Sequence, residues 1–407
     1  MLSFNNTEYA FAYKSTKELK KARFLFSLMG NALFVRIGLM ITPIVVKWKL
    51  PFIQTIIRNT IFKQFVGGET LSETAKVVDK LRQHNVQVIL DYGIEGGNNG
   101  EAGFDASTES FIQVINYAAM QKNIPFISIK ITGIARFSLL EKIDSIMNES
   151  KETLMERYLN ALENLSQQEK KEWSIVCERM YKISETAAAK NIGVLVDAEE
   201  TWIQNPVDAL TILMMAKFNH QQIVVFNTIQ LYRHGRKQFL KDCYTISIEK
   251  DFILGIKLVR GAYMEKERKR AQELNYVSPI QPDKAACDLA YNESIAFCID
   301  HLQTISLIVA SHNEASNMLA TILLQQKNIP FNHRHIHFSQ LYGMSDHITF
   351  NLAKAGCSVS KYLPFGPIGE VVPYLMRRAE ENSSVSGQTG RELLLIKKEL
   401  KRRMNEE

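Results

Sequence analysis

Cysteine is scarce in this chain, and no cysteine motif is present. The 407 residues include five cysteines, and none of them forms a Cys-x-x-Cys pair with another. They stand far apart, at Cys177, Cys243, Cys287, Cys298 and Cys357. A disulfide framework or a structural zinc site requires cysteines at close and regular spacing. The sequence therefore indicates neither, and it predicts a protein of a reducing compartment.

Long hydrophobic runs are also missing. Residues 24–57 form the most apolar stretch, but Asn31, Arg36 and Pro43 are among the residues that interrupt it. A transmembrane helix needs about 20 consecutive apolar residues, so we do not expect one. Residues 1–13 lack the basic and apolar regions of a secretory signal.

The apolar stretch is interpreted as a packed pair of helices or as helices that lie on a membrane surface. Ordinary packing is favoured, because such mixed patterns are common in soluble helices. In the second case, the basic side chains available for lipid headgroups are Lys20, Lys21, Arg23, Arg36, Lys47, Lys49 and Arg58. The net charge of +6 is spread along the chain, so we expect no nucleic-acid partner.

From residue 86 onward, short β-branched segments alternate with helical patterns. We predict eight strands, at 86–92, 126–131, 193–197, 222–229, 254–259, 305–310, 336–340 and 358–362. Eight strands alternating with helices over about 300 residues are typical of an α/β fold, and their number favours a closed (β/α)8 barrel over an open sheet. No Gly-x-Gly-x-x-Gly turn follows the first strand, which disfavours a dinucleotide-binding sheet.

The segments around the strands give the predicted domain organisation. We expect an N-terminal helical arm, a barrel with a helical insertion, and a C-terminal basic helix, at 1–65, 66–390 (insertion around 138–171) and 391–407. A helix that begins after Thr70 precedes the first strand. A flexible linker is expected over 383–390, where serine and glycine are frequent.

Polar residues stand at the carboxyl ends of the predicted strands, where barrel enzymes place their active sites. They include Asp91, Lys130, Asp197, Gln230, Lys257, Arg260, His312, Asn313, Gln340 and Tyr362. Burying so many polar groups costs several kcal/mol unless a polar ligand fills the site. Each has a simpler explanation, since Lys130 could pair with a carboxylate of a neighbouring strand and His312 could be a core histidine. The histidines at 333–337 lie at the amino end of a strand, away from the site, so no metal is expected there.

The segment 362–382 predicts a strand end, a tight turn and a helix. Tyr374, Arg377, Arg378 and Glu381 share one arc of that helix, beside an apolar arc. Two adjacent guanidinium groups next to a tyrosine could bind a small carboxylate from two sides. The alternative is a solvated helix face with an ion pair between Arg377 and Glu381.

These motifs resemble those of a known family. KLVRGAYMEKERKRA (257–271) and YLPFGPIGEVVPYLMRRAEEN (362–382) closely resemble the two most diagnostic segments of proline dehydrogenases. Further family motifs follow in the right order, as DAEET (197–201), IQLYR (229–233), SHN (311–313) and QLYGM (340–344). The resemblance covers 86–385. It implies a distorted (β/α)8 barrel that uses FAD to oxidise L-proline to Δ1-pyrroline-5-carboxylate and passes the electrons to a membrane quinone.

The resemblance also implies a role for individual residues. Arg377 and Arg378 would bind the proline carboxylate with Lys130, and Asp197 would complete the catalytic group. Leu341, Tyr362 and Tyr374 would surround the proline ring. FAD would be held by Asp197, Gln230, Lys257, Val259, Gly261, Ala262, Tyr263, Ser311, His312, Asn313 and Glu381. Glu95 resembles an acidic residue that pairs with the first arginine and gates the pocket.

Departures from the family pattern are small. Lys257 stands where many bacterial members have arginine, and Met264 stands where some have tryptophan. Members that prefer hydroxyproline lack a tyrosine at the position of Tyr362, so the resemblance implies proline as the substrate. The chain ends soon after the barrel, so we expect no aldehyde dehydrogenase half.

Two other functions compete with this one. Lys130 in a barrel strand could be the nucleophile of a Schiff-base aldolase. A barrel with a degenerate site is disfavoured, because no expected ligand position is missing. We predict a cytoplasmic protein, peripheral on the inner face of a bacterial membrane, with the matrix side of the mitochondrial inner membrane as the alternative. The oligomeric state is left open.

Overall fold

The computed structural model describes residues 2–30, 55, 57–93, 100–384 and 388–406, with the backbone alone for 379–384, 388 and 389. Most of the apolar stretch 24–57 falls outside these ranges. The two interpretations of that stretch, packed helices and membrane-surface helices, therefore concern residues outside the described part of the chain. No helix within the described ranges has the length and apolarity that crossing a membrane would require.

Eight strands form a closed barrel in which each strand neighbours the next in sequence order. They are β1 Gln87–Tyr92, β2 Phe126–Ile129, β3 Gly193–Val196, β4 Val225–Gln230, β5 Leu254–Val259, β6 Ile305–Ala310, β7 Ile336–Leu341 and β8 Val359–Phe365. The recorded strand pairs are parallel. The eight predicted strands and the (β/α)8 barrel are therefore confirmed. The strands read as continuous apolar segments because they are buried on both faces.

Helices separate the strands. They are α1 Thr7–Phe11, α2 Thr16–Met29, α3 Leu71–Arg82, α4 Gly100–Ala119, α5 Phe137–Met147, α6 Leu154–Glu163, α7 Gln167–Lys190, α8 Gln204–Phe218, α9 Arg236–Glu249, α10 Met264–Glu273, α11 Lys284–Asp300, α12 Glu314–Gln326, α13 Asp346–Lys354, α14 Ile368–Ser384 and α15 Gln388–Met404. A π-helical turn, Arg58–Phe62, continues into the short helix Lys63–Phe65. As predicted, α3 begins after Thr70, whose hydroxyl accepts the backbone N–H of Glu73. Helix α15 begins before the predicted position, so Gln388–Gly390 of the expected linker is helical.

The predicted insertion around 138–171 corresponds to α5, α6 and the start of α7. Thr153 and Ser166 each open a helix with a capping box, in which the side chain of a glutamate three residues later returns a hydrogen bond. Trp173 donates a hydrogen bond of 2.7 Å to the hydroxyl of Tyr158, which joins α7 to α6. The local sequence therefore specifies where these helices begin.

The chain forms two compact units. The first comprises Met1–Gly93, His312–Met318 and Phe338–Glu407, and the second comprises Ile94–Ser311 and Leu319–His337. In the first unit, helices α1, α2 and α15 enclose a core that includes Phe11, Phe26 and Ile396. A second core of this unit lies under α14 and includes Phe65, Val371 and Tyr374. The two ends of the chain are thus parts of one folded unit.

Candidate active site

A carboxylate between two lysines is the main charged feature at the strand ends of the second unit. Asp197 follows β3, and its Oδ2 lies 3.7 Å from Nζ of Lys130, which follows β2. Its Oδ1 forms an ion pair with Lys257 of β5. The side chains of Lys130, Asp197 and Lys257 are 8%, 13% and 6% exposed. The alternative in which Lys130 pairs with the carboxylate of a neighbouring strand is confirmed, and Asp197 lies between the ammonium groups of Lys130 and Lys257.

Glu199 ties three strand ends together. Its carboxylate accepts the hydroxyl of Thr132 at 2.7 Å and the backbone N–H of Thr132 at 3.3 Å. Its backbone N–H donates to the Gln204 side chain at 2.9 Å, and its carbonyl accepts Nε2 of Gln230 at 2.6 Å. Burial raises the pKa of Glu199 to about 7, although its bonds to Thr132 act in the opposite direction. The loop that follows β3 is therefore fixed to the ends of β2 and β4.

Gln230, one of the predicted FAD residues, is held inside this network. Nε2 also donates to the hydroxyl of Tyr232 at 2.9 Å, and Oε1 accepts Nη1 of Arg233 at 2.7 Å. Both N–H groups of the amide are therefore used within the protein. Oε1 accepts one hydrogen bond within the described residues, and Gln230 is buried.

The start of α10, just after the β5 loop, is anchored to the same β3 loop. Lys266 pairs with Glu200, and Glu267 accepts the N–H and the hydroxyl of Thr201, both at 2.7 Å. The predicted cofactor residues Val259, Gly261, Ala262 and Tyr263 form the turn that these bonds hold.

The turn itself is shaped by a glycine and an arginine. Gly261 has a φ of 51°, and a Cβ at this position would lie 3.0 Å from Sδ of Met264. Arg260 is turned away from the glycine toward α11, where it pairs with Asp288 and lies 4.0 Å from the ring centroid of Tyr291. Ser311, at the end of β6, is buried and hydrogen-bonds to Tyr291.

In the first unit, His312 joins two loops. Its Nδ1 lies 2.9 Å from the hydroxyl of Ser345, and its Nε2 accepts the backbone N–H of Leu341 at 3.5 Å. Burial lowers the pKa of His312 to about 3, with the charges of Lys361 and Arg378 acting in the same direction. The imidazole is therefore neutral at physiological pH.

Asn313 opens helix α12. Its side-chain oxygen accepts the backbone N–H of Ser316 at 3.1 Å, and its carbonyl accepts Nδ2 of Asn317 at 2.8 Å. This is the arrangement of a helix N-cap, and the N-terminus of a helix favours an anion. Asn313, one of the predicted FAD residues, thus stands at a position suited to the diphosphate of FAD.

Three predicted substrate residues are brought together in the first unit. Leu341 and Tyr362 are register partners on β7 and β8, and Leu341 packs against the core cluster that contains Tyr374. The guanidinium carbon of Arg378 lies 5.0 Å from the ring centroid of Tyr374. Arg378 is 6% exposed. The solvated-face alternative is therefore wrong for Arg378, whereas Arg377 is partly exposed.

Two predicted site residues fall outside the described parts of the chain. They are Glu95, the expected gate, and the side chain of Glu381. Metal ligation was not expected, and the described residues contain no group of three or more histidine, cysteine or carboxylate side chains that could hold a metal. Of the histidines in the 333–337 segment, His335 bonds to the carbonyl of Leu302 at 2.5 Å and His337 packs on Phe126.

Several residues around these groups were not singled out from the sequence. Thr132 and Glu267 hold the β3 loop, and Asp346 and Lys361 form a buried ion pair of 2.9 Å in the first unit. A lysine inside the apolar strand β8 was the available signal for the last pair. Its partner could not be read from the sequence, because it belongs to a helix that follows another strand.

A parallel (β/α)8 barrel with a buried lysine–carboxylate–lysine group at its strand ends is the architecture of a barrel enzyme. The comparison with family models gives its class. The model described as "Proline dehydrogenase" matches residues 74–391, and the chain belongs to the proline dehydrogenase family.

Individual relatives agree with this assignment. The chain is 34% identical over 375 residues to "Proline dehydrogenase 1, mitochondrial" of Dictyostelium discoideum, covering 86% of this chain and 66% of that protein. It is 33% identical over 372 residues to "Hydroxyproline dehydrogenase" of Xenopus laevis, covering 85% and 78%.

A solved structure supports the fold. Proline utilization A from Bdellovibrio bacteriovorus, inactivated by N-propargylglycine, matches with a TM-score of 0.69 at 19% identity. The match covers 93% of this chain but 38% of that protein. The chain thus spans less than half of that structure and about two thirds of the Dictyostelium relative.

Proposed function

We propose that this chain oxidises L-proline to Δ1-pyrroline-5-carboxylate, the first step of proline catabolism, with FAD as cofactor and a membrane quinone as electron acceptor. The observation that carries the proposal is the buried group Lys130, Asp197 and Lys257 in a barrel of the proline dehydrogenase family. The carboxylate of a small amino acid and the phosphates of an anionic cofactor are both groups that ammonium side chains bind.

The substrate carboxylate would be bound by Arg377, Arg378 and Lys130. Guanidinium groups bind carboxylates in a fork geometry that fixes the orientation as well as the position of the ligand. The burial of Arg378 beside Tyr374 supports this role, because a buried arginine gains most from an anionic partner. The same positive charge disfavours the ammonium form of proline, and the amine must be neutral before oxidation.

The proline ring would lie against Leu341, Tyr362 and Tyr374. The register of β7 and β8 places Leu341 beside Tyr362 and supports a shared role for the pair. A phenol against the ring leaves little room for a ring hydroxyl. We therefore propose proline as the better substrate, even though one relative is named hydroxyproline dehydrogenase.

The residues present fit FAD. Lys130 and Lys257 place two ammonium groups at the strand ends, and the N-terminus of α12 at Asn313 suits a diphosphate. Gly261, with a φ of 51°, lets the turn after β5 adopt a conformation that other residues rarely take. FAD, when bound, would accept the hydride from C5 of proline.

The enzyme would pass its electrons to the quinone at a membrane surface. Helix α2 supports this part of the proposal, since Lys20, Lys21 and Arg23 are exposed and Phe24 beside them is 62% exposed. The word "mitochondrial" in the name of the Dictyostelium relative agrees with the alternative location. The location of this chain stays a prediction.

The test uses the colour of the purified protein. It should be yellow, and L-proline should bleach the flavin absorption under anaerobic conditions faster than hydroxyproline does. Arg378→Met should raise KM for proline at least about tenfold, because a hydrogen bond to a charged group is worth about 1.5–3 kcal/mol. The flavin should stay bound in this variant. The matched control is Arg268→Met, on the surface of α10, which should change neither property.

Three results would contradict the proposed function or part of it. A colourless protein that cannot be loaded with FAD would contradict the proposal. If borohydride then trapped a substrate on Lys130, the Schiff-base aldolase would replace it. Bleaching by hydroxyproline at the rate seen with proline would contradict the role given to Tyr362.

A further inference from the structure

A buried charged cluster in the first unit connects both ends of the chain to the loop that follows β7. We call it the terminal clamp and define it as Tyr13, Lys14, Ser345, Asp346, Lys361 and Glu392. Tyr13 and Lys14 lie between α1 and α2, and Glu392 lies in α15. Asp346 begins α13, and Lys361 is in β8.

Asp346 is the centre of the clamp. Its Oδ2 accepts the hydroxyl of Tyr13 at 2.7 Å and Nζ of Lys14 at 2.8 Å, and its Oδ1 lies 2.9 Å from Nζ of Lys361. Burial would raise the pKa of Asp346, but the two ammonium groups hold it below its usual value. The carboxylate is therefore charged and holds the N-terminal segment against β8.

Glu392 holds the same loop from the C-terminal helix. Its carboxylate accepts the backbone N–H of Ser345 at 2.9 Å. Ser345 has a φ of 50° and a ψ of 42°, a left-handed conformation that costs a non-glycine residue about 1 kcal/mol or more. Such a conformation persists where the surroundings fix it. Lys361 also fixes this loop, because its Nζ donates a hydrogen bond of 2.5 Å to the carbonyl of Met344.

Ser345 transmits this arrangement to His312. Because Nε2 of His312 accepts the N–H of Leu341, the proton of the neutral ring is on Nδ1, which donates to the Ser345 hydroxyl. Both ring nitrogens are thus used within the protein. One of the two loops that they join contains Leu341, a predicted substrate residue.

We propose that the terminal clamp makes both ends of the chain part of the positioning machinery of the active site. In this arrangement Ser345 fixes the ring of His312, a predicted FAD residue, and His312 in turn fixes the β7 loop at Leu341. The inference rests on the proposed function, since it concerns FAD and proline binding. An apolar cluster of similar volume would stabilise the fold as well as buried ion pairs do, so these charges are better explained by the specific geometry that they impose.

The decisive variant is Ser345→Gly. Glycine adopts the left-handed conformation without cost, so the loop can keep its backbone while it loses the hydroxyl. Lys14→Met tests the N-terminal side of the clamp, and Lys14→Arg should rescue it. Lys17→Met, on the exposed side of α2, is the matched control. FAD dissociation constants are measured by titrating FAD-stripped protein well below the melting temperature of each variant.

We expect Ser345→Gly and Lys14→Met to weaken FAD binding at least tenfold and to shift the visible spectrum of the bound flavin. Lys14→Arg and Lys17→Met should match the wild type. In protein labelled with 15N-histidine, His312 should carry its proton on Nδ1 in the wild type. A folded Ser345→Gly protein with wild-type affinity and spectrum would overturn the inference, and so would a proton on Nε2. Failure of the proposed function is distinguishable, because the wild type itself would then neither bind FAD nor oxidise proline.

Discussion

Asp197 takes part in two ion pairs at once, and this decides how its neighbours respond to substitution. Lys257 is the closer partner, and Lys130 lies at 3.7 Å. All three side chains are largely shielded from water. Removing a lysine should therefore destabilise the protein more than removing the partner of a surface carboxylate.

Lys257→Met should therefore lower the free energy of unfolding by about 3 kcal/mol, because it removes the closer lysine from a largely buried carboxylate. Lys257→Arg keeps the charge and should stay within about 1 kcal/mol of the wild type. Denaturant unfolding of the FAD-free proteins measures both values. Equal losses in the two variants would show that the shape of the lysine matters more than its charge.

Glu199 provides a prediction about pH. Its pKa in the folded protein is raised to about 7, above the usual value of a glutamate, so the folded state binds this proton more strongly than the unfolded state does. The contribution to stability is thus fully present at low pH and is lost as the pH rises from about 4.5 to about 7.

Relative to Glu199→Gln, the wild type should lose up to about 3 kcal/mol of unfolding free energy across this pH range. Glutamine has no titrating group, but its amide can still bond to Thr132. Urea unfolding at pH 5, 6, 7 and 8 measures the difference between the two proteins. Parallel pH profiles would contradict the raised pKa.

At the scale of elements, the strands and helix starts follow from local patterns. The eight strands agree with prediction to within a few residues, since runs of β-branched residues bounded by turn signals are local features. Thr70 was recognised as the start of α3 for a similar reason. The pairing of α2 with α15 was not predicted, because an amphipathic helix shows which face is buried but not which partner covers it.

This pairing leads to a stability prediction. Ile396 of α15 is fully buried against α1 and α2, so Ile396→Ala should lower the free energy of unfolding by about 2–5 kcal/mol. Leu394→Ala on the same helix is the control, since Leu394 is 58% exposed. We expect a change within about 0.5 kcal/mol for the control. Similar losses in thermal or urea unfolding would mean that α15 is not anchored through Ile396.

At the scale of the whole molecule, the proposed membrane surface needs a test that keeps the fold intact. Deletion of residues 1–60 would remove Phe11 and Phe26 from a buried core and would unfold the first unit. Replacement of exposed charges on α2 is a more specific test, because these side chains contribute little to the stability of the fold.

Replacing Lys20, Lys21 and Arg23 by glutamate should reduce sedimentation with anionic vesicles several-fold and lower quinone-dependent turnover on them. Oxidation of proline with a soluble dye as acceptor should be unchanged. The control replaces Lys151, Lys190 and Lys250, which are exposed in the second unit and make the same change in net charge. Equal loss of vesicle binding in both triple variants would show a general charge effect.

The sequence by itself determined the eight-strand barrel, the helix starts and the types of residue at the strand ends, since periodicity and turn chemistry are properties of neighbouring residues. It also offered the pairing of Lys130 with a carboxylate as the simpler explanation of that lysine, because adjacent parallel strands end side by side. Tertiary structure alone decided the terminal clamp, in which Tyr13 and Asp346 are 333 residues apart. Such contacts depend on the packing of the whole chain, and burial turns them into strong interactions that no local pattern encodes.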